Sequence, residues 1–237
     1  MTFNKKLFFL SLVALSCSRV SYVHSDSADS VLTQNLQKVV NEYYKTYSKQ
    51  EGFTAISASV LIPHHKKIDP NNIKTVVAGT IGVSPLTQLI TPDNLFDIGS
   101  ITKSFTSLML LQLQAEGKLS LNDPLGKWLP QYPQWKEVTL RQLLNMTSGI
   151  PNYSADEKFE KELVADLSRQ WTNDELLTYA HPDQPLKINK NKRYEYCNSN
   201  YILAAMVIEK VTNDTYESQL KQRILNQQNH LKDTYLI

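Results

Sequence analysis

Two side chains in this sequence are of types and spacing that could together make a nucleophile. Ser100 and Lys103 stand three apart in Phe96-Asp97-Ile98-Gly99-Ser100-Ile101-Thr102-Lys103. A serine hydroxyl is a weak nucleophile until a neighbouring base takes its proton. A lysine serves as that base only where burial or the positive end of a helix disfavours the ammonium form. Residues three apart on a helix are neighbours, so Lys103 can reach Ser100. The spacing alone carries little: with 20 serines and 20 lysines in 237 residues, chance supplies roughly two such pairs. The second pair, Ser218 and Lys221, has polar neighbours and reads as a solvated helix face. For the first pair two readings stand at this point. One is a nucleophile with its base; the other is an N-cap serine followed by a lysine that extends to solvent.

The elements that must position these groups can be read from periodicity. Asp29–Gln50 patterns as an amphipathic helix, with Val31, Leu32, Leu36, Val39, Val40 and Tyr43 on one face. Phe53–Ile62 and Ile73–Ile81 are rich in β-branched residues, and the linker Pro63–Asn72 predicts an antiparallel hairpin. Ser100–Glu116 is apolar nearly all round, which predicts a helix buried on every side. Gly117 then stands where a left-handed C′ residue ends a helix. Thr139 is placed to cap a short helix through Met146, and Thr172 with Glu175 forms a capping box. Tyr201–Val211 predicts a second buried helix, and Tyr216–Leu225 an amphipathic one.

Further motifs give the Ser100–Lys103 pair a context. Thr91-Pro-Asp-Asn-Leu-Phe-Asp-Ile-Gly-Ser-Ile-Thr-Lys-Ser-Phe-Thr106 resembles the nucleophile region of the serine β-lactamase-related family. That family includes class C β-lactamases, D-alanyl-D-alanine carboxypeptidases and related esterases. Gly117-Lys-Leu-Ser-Leu-Asn-Asp-Pro-Leu125, followed by Trp128-Leu-Pro130, looks like its next stretch. Leu143-Leu-Asn-Met-Thr-Ser-Gly-Ile-Pro151 is similar to its Leu-Leu-x-His-Thr-Ser-Gly turn, with Met146 in place of the histidine. Tyr196-Cys-Asn198 matches its Tyr-x-Asn motif and occurs once in the chain. The resemblance is colinear from about Asn35 onward, and that order favours the nucleophile reading.

The resemblance implies Ser100 as the acylated nucleophile and Lys103 as its base. Tyr196 would shuttle the proton, and Asn198 would hydrogen-bond the substrate amide. The implied activity is that of a penicillin-binding serine hydrolase of the carboxypeptidase or β-lactamase kind. Peptidoglycan peptide, a β-lactam or a small ester would be the substrate; an esterase and a non-catalytic cell-wall-binding protein are the alternatives. The implied fold is α+β, β-lactamase/transpeptidase-like: an antiparallel sheet with the N-terminal strands and a largely helical lobe, the serine at their junction. The chain departs from the family pattern in places. Asn189-Lys190-Asn191 and Asn213 stand where glycine is usual, and Asn tolerates the left-handed conformation. The third family motif, Lys/His-Ser/Thr-Gly, does not occur after Asn198, since Gly149 is the last glycine. The expectation is therefore a C-terminally truncated, weakly stable domain lacking the sheet strands that carry part of the oxyanion hole. Losing one such donor costs about 10²–10³ in rate.

Composition narrows the remaining classes. The chain is 41% hydrophobic and 20% charged with a net charge of +2, values of an ordinary globular protein. Lys5, Lys6 and Arg19 precede Asp26, so without that segment the balance is close to neutral and nucleic acid is not an expected partner. Residues 1–25 read as a signal peptide: two lysines, the apolar run Leu7–Leu15, and small residues Val23 and Ser25 before Asp26. The run is too short for a stable membrane span, which leaves 26–237 as the hydrolase domain, periplasmic or secreted. A lipoprotein box at Cys17 is the minor alternative. Cys197 then has no internal disulfide partner and reads as a buried filler. His64 and His65 are adjacent; on a strand they point to opposite faces and chelate poorly, so neither metal nor cofactor is expected. The acyl donor and the oligomeric state are left open. N-terminal sequencing of exported protein is expected to begin at or near Asp26; cytosolic protein with Met1 intact would refute export.

Overall fold

Helix α1 and a β-hairpin pack together because one face of each is apolar. The structure is a computed structural model that describes residues 27–61, 72–83, 87–186, 194–227, 231, 233–234 and 236. The chain divides into two compact units, Met1–Ile101 with Asn229–Thr234, and Thr102–Gln228 with Tyr235–Ile237. In the first unit, α1 (Ser27–Glu51) lies on the antiparallel strands β1 (Ala55–Leu61) and β2 (Ile73–Gly79). The register runs from Ala55 opposite Gly79 to Leu61 opposite Ile73, and the two β-branched runs pair antiparallel as expected. Gly79 is required, since it has φ +109 and an added Cβ would meet Thr54 O at 2.2 Å. The expected α1 face is partly corrected. Val40 is buried and Leu32, Leu36 and Tyr43 are half-buried, but Val31 and Val39 are exposed. Their row lies to one side of the 32–36–40 row that meets the sheet, and Gln37 turns inward to donate to Val77 O at 2.8 Å. His64 and His65, the segment 1–25 and Asn189-Lys190-Asn191 lie outside the described residues.

The second unit is helical: α2 (Thr102–Ala115), α3 (Leu125–Trp128), α4 (Leu140–Leu144), α5 (Glu157–Ala165), α6 (Asn173–Thr178), α7 (Ser199–Thr212) and α8 (Tyr216–Arg223). Helix α7 is its centre, packing on α2, α4, α6 and α8, with Leu203, Ala204, Val207 and Ile208 wholly buried. The predicted caps hold, although α4 ends at Leu144, short of the expected Met146, which is left-handed at φ +60. Thr139 and Gln142 form a capping box at α4, and Thr172 and Glu175 another at α6. Gly117 closes α2 at φ +71, and Asn213 ends α7 at φ +51 in the glycine-like conformation.

The prediction for α2 needs correction on two counts. The segment Gly99–Ile101 is a 3₁₀ turn, and the α-helix starts only at Thr102. Nor is the helix buried all round: Thr106, Met109, Leu110 and Leu113 are buried, whereas Leu108 and Leu111 are 43% and 47% exposed. The buried set faces α7 and α8, and the exposed pair lies on the opposite side of the helix. An all-apolar helix therefore has two distinct faces here.

At its C-terminal end α2 is tied to α8 by Arg223 and Glu116. Hydrogen bonds from Arg223 and then Lys118 pull the Glu116 carboxyl down to about 2. A depressed carboxylate stabilises the fold above its ordinary pKa of 4.5, and that contribution is lost as pH falls towards 2. Since the carboxylate is 40% exposed, the pair contributes on the order of 0.2–1 kcal/mol. No helix among the described residues is long and apolar enough to cross a membrane.

The packing predicts a contrast between two leucines. Leu203→Ala removes a fully enclosed side chain and is expected to cost about 2–5 kcal/mol, whereas Leu108→Ala should stay within about 0.5 kcal/mol. Urea midpoints of the two variants check this, and equal losses would contradict the assigned faces.

Candidate active site

The chain enters α2 through a turn fixed by Asp97, whose carboxylate accepts the Gly99 N–H at 2.7 Å. Gly99 has φ +48, a conformation that glycine adopts without a Cβ clash. Ser100 follows in the 3₁₀ turn, and Lys103 lies in the first turn of α2. The unit boundary falls between Ile101 and Thr102.

Within the second unit, Lys103 and Tyr196 are brought together. Lys103 Nζ lies 4.9 Å from the centroid of the Tyr196 ring and 5.6 Å from that of Tyr201. An ammonium over two ring faces is attracted by both. Tyr201 is itself fixed, donating to Leu144 O at 3.0 Å with Ser107 Oγ 3.0 Å from its hydroxyl. Tyr196 is 43% exposed, so the lysine approaches from the protein side of a solvent-facing ring.

The backbone that carries Tyr196 is zipped to residues 146–154. Met146 O accepts the Glu195 N–H at 2.9 Å, and Met146 Sδ accepts the Cys197 N–H at 3.3 Å. Cys197 Sγ donates to Ile150 O at 3.2 Å. Its thiol is buried and pushed up by desolvation, as expected of an inert filler. The Asn198 N–H donates to Asn152 Oδ1 at 3.0 Å, and Asn198 Nδ2 to Ser154 Oγ at 2.8 Å. The predicted substrate-binding amide is thus oriented by Ser154, with a second N–H and the carbonyl oxygen beyond that bond. Ser199 Oγ donates to Pro151 O at 2.7 Å and accepts from Tyr153 N at 2.9 Å. Tyr153 is pushed up by burial, with smaller contributions from Tyr196 and Cys197 nearby.

Asn200 completes this seam from the core. Its amide is wholly buried, with Oδ1 accepting from Ser148 Oγ at 2.7 Å and Nδ2 donating to Met146 Sδ at 3.7 Å. Sequence reasoning missed Ser148, Asn152, Ser154 and Asn200, since nothing in their spacing shows a partner about 50 residues away. The only signal was Thr147-Ser148-Gly149, read as a turn. By contrast, Ser218 and Lys221 behave as the surface pair that their neighbours suggest, Ser218 accepting from Gln222 and Lys221 pairing with Glu217. Among the described residues no group of three His, Cys, Asp or Glu side chains could hold a metal ion.

The family model described as Beta-lactamase matches residues 68–237. The chain belongs to that family. Penicillin-binding protein 4* of Bacillus subtilis (strain 168) is 26% identical over 204 residues, covering 81% of this chain and 40% of that protein. Teichoic acid D-alanine hydrolase of Staphylococcus aureus is 31% identical over 134 residues, covering 56% of this chain and 31% of that protein. Among solved structures, a D-stereospecific amidohydrolase from Streptomyces sp. is similar with a TM-score of 0.62 and 30% identity, over 86% of this chain and 54% of that one. The D-amino acid amidase from Ochrobactrum anthropi SV3 is similar with a TM-score of 0.64 and 25% identity, over 83% of this chain and 51% of that one. The chain spans 40% of the length of the first relative and about half of these solved structures. Its fold is β-lactamase-like, mixed helices with a small antiparallel sheet, as the resemblance implied.

The seam predicts energetic coupling. Ser148→Ala and Asn200→Ala are each expected to destabilise, and a double-mutant cycle should return about 0.5–3 kcal/mol of coupling. Strictly additive losses would show that the Ser148–Asn200 hydrogen bond contributes nothing.

Proposed function

We propose that this chain is a serine acyl-transfer hydrolase in which Ser100 is the nucleophile, Lys103 its base, Tyr196 the proton relay and Asn198 the substrate-amide ligand. The observation that carries the proposal is Lys103 Nζ lying 4.9 Å from the centroid of the Tyr196 ring, in a chain whose Ser-x-x-Lys and Tyr-x-Asn motifs occur in the family's order. Neutral Lys103 takes the serine proton; once protonated, its positive charge beside the phenol favours the phenolate, the form that can take the proton onward.

The reaction balances as two acyl transfers. Ser100 Oγ attacks the acyl carbonyl while its proton passes to Lys103 or Tyr196. Collapse of the tetrahedral adduct breaks the bond to the leaving amine or alkoxide, which takes up that proton. Water then attacks the serine ester, returning a proton to Oγ and releasing the acid. The names of the relatives point to a penicillin, to D-alanine, to a D-amino acid amide and to D-stereospecific amide hydrolysis. We therefore take an acyl donor with a D-amino acid unit, in a peptidoglycan peptide, an amide or a β-lactam, as the substrate class. Such donors face the cell envelope, consistent with export by the N-terminal segment and a periplasmic or secreted location for 26–237.

Incubation with a fluorescent penicillin is expected to label the chain on Ser100, and Ser100→Ala should abolish the label. Lys103→Met should slow labelling by about 10²-fold or more, the range for removing a general base. A label mapped to another residue would overturn the site assignment. No label with penicillin or a fluorophosphonate would favour a non-catalytic cell-wall-binding protein.

A further inference from the structure

We propose that Met146 is a positioning residue for Tyr196, acting through its thioether sulfur as a hydrogen-bond acceptor. The inference deepens the acyl-transfer reading and rests on it for the role of Tyr196. Its physical basis is a single residue that grips the chain on both sides of the phenol. Met146 O takes the Glu195 N–H at 2.9 Å, and Met146 Sδ takes the Cys197 N–H at 3.3 Å. Tyr196 is the residue between them.

Several observations show that the sulfur is placed for this contact. Met146 is 7% exposed, so its neighbours see little water that could substitute for the sulfur. Its backbone has φ +60, a left-handed conformation that is uncommon outside glycine, Asn, Asp and His. That turn brings both the carbonyl and the side chain of one residue to the same strand of chain. The same sulfur lies 3.7 Å from Asn200 Nδ2, a wholly buried amide nitrogen. Thioether sulfur is a weak acceptor, but a buried N–H with no partner at all carries a desolvation penalty. Without an acceptor at this place, the Cys197 N–H and one Asn200 N–H would both be left unsatisfied in the interior. The chain between Glu195 and Asn198 would relax to reach water, and the Tyr196 ring would shift from Lys103.

Leucine at 146 separates acceptor chemistry from packing. It keeps the volume, is unbranched at Cβ and has no acceptor; glutamine is similar in length and restores one. The chain has two cysteines, Cys17 and Cys197, so selective ¹⁵N-cysteine labelling leaves at most two amide cross-peaks, assigned by Cys17→Ser. In Met146→Leu the Cys197 amide is expected to exchange with deuterium about tenfold faster or more. Acylation of Ser100 by the fluorescent penicillin should slow by about 10- to 100-fold, the scale for a misplaced catalytic group. Met146→Gln should recover both. Melting temperatures of the variants are compared first, and the inference holds only if leucine and glutamine variants of equal stability differ in these readouts. An unchanged Cys197 exchange rate in Met146→Leu overturns the inference, as does faster exchange with unaltered acylation. If the unsubstituted chain fails to acylate, the acyl-transfer reading fails, and the exchange comparison still decides whether Met146 holds the Tyr196 segment.

Discussion

A buried amide organises the helical unit. Asn200 sits wholly inside at the start of α7, and its hydrogen bonds to Ser148 and Met146 can form only if residues 146–154 lie against the 195–200 segment. An unsatisfied amide in such a place costs about 1–3 kcal/mol, comparable to a sizeable share of a domain's net stability. The rest of the seam follows from that placement. Ser199, Asn198 and the Cys197 thiol each find a partner within Ile150–Ser154. The polar seam therefore specifies register, while Leu203, Val207 and Ile208 behind it supply the apolar burial.

This arrangement leaves Tyr196 as an exposed side chain between two pinned backbone amides, those of Glu195 and Cys197. In the proposed relay role a phenol benefits from a fixed backbone, because the cost of ordering it is met in folding rather than at the moment of reaction. Lys103 reaches the same ring from α2, and α2 is held by its packing on α7 and by Thr106, whose hydroxyl lies 2.7 Å from that of Tyr216 on α8. Helix α7 thus positions both partners, one through its N-terminal seam and one through its flank. Chain order, Lys103 early and Tyr196 late, is reconciled by α7, which follows directly on the Tyr196 segment and packs against α2.

What could be read from the sequence was local. The capping boxes at Thr139 and Thr172, the left-handed ends at Gly117 and Asn213, and the β-branched pairing of β1 with β2 each depend on residues close in sequence or on a simple alternation. The motifs Ser100–Lys103 and Tyr196–Asn198 were visible as residue types, and the structure juxtaposes Lys103 with Tyr196. Partners distant in sequence were not legible. Nothing about Met146 in isolation shows a sulfur serving as acceptor, and Ser154 carries no mark of holding Asn198. The face of α2 was misjudged for a related reason: Leu108 and Leu111 are as apolar as Leu110 and Leu113, and only the location of α7 and α8 decides which pair is enclosed. On α1, Gln37 faces the sheet and Val39 does not, because a hydrogen bond to Val77 O satisfies the glutamine.

The claim that a rigid polar seam holds the Tyr196 segment is tested most directly by native-state hydrogen exchange on the full chain. The amides of Tyr153, Cys197 and Asn198 should exchange together with those of the α7 core around Leu203, through opening of the whole helical unit. Exchange of these three at the rate of an exposed loop, while Leu203 stays protected, would contradict the account.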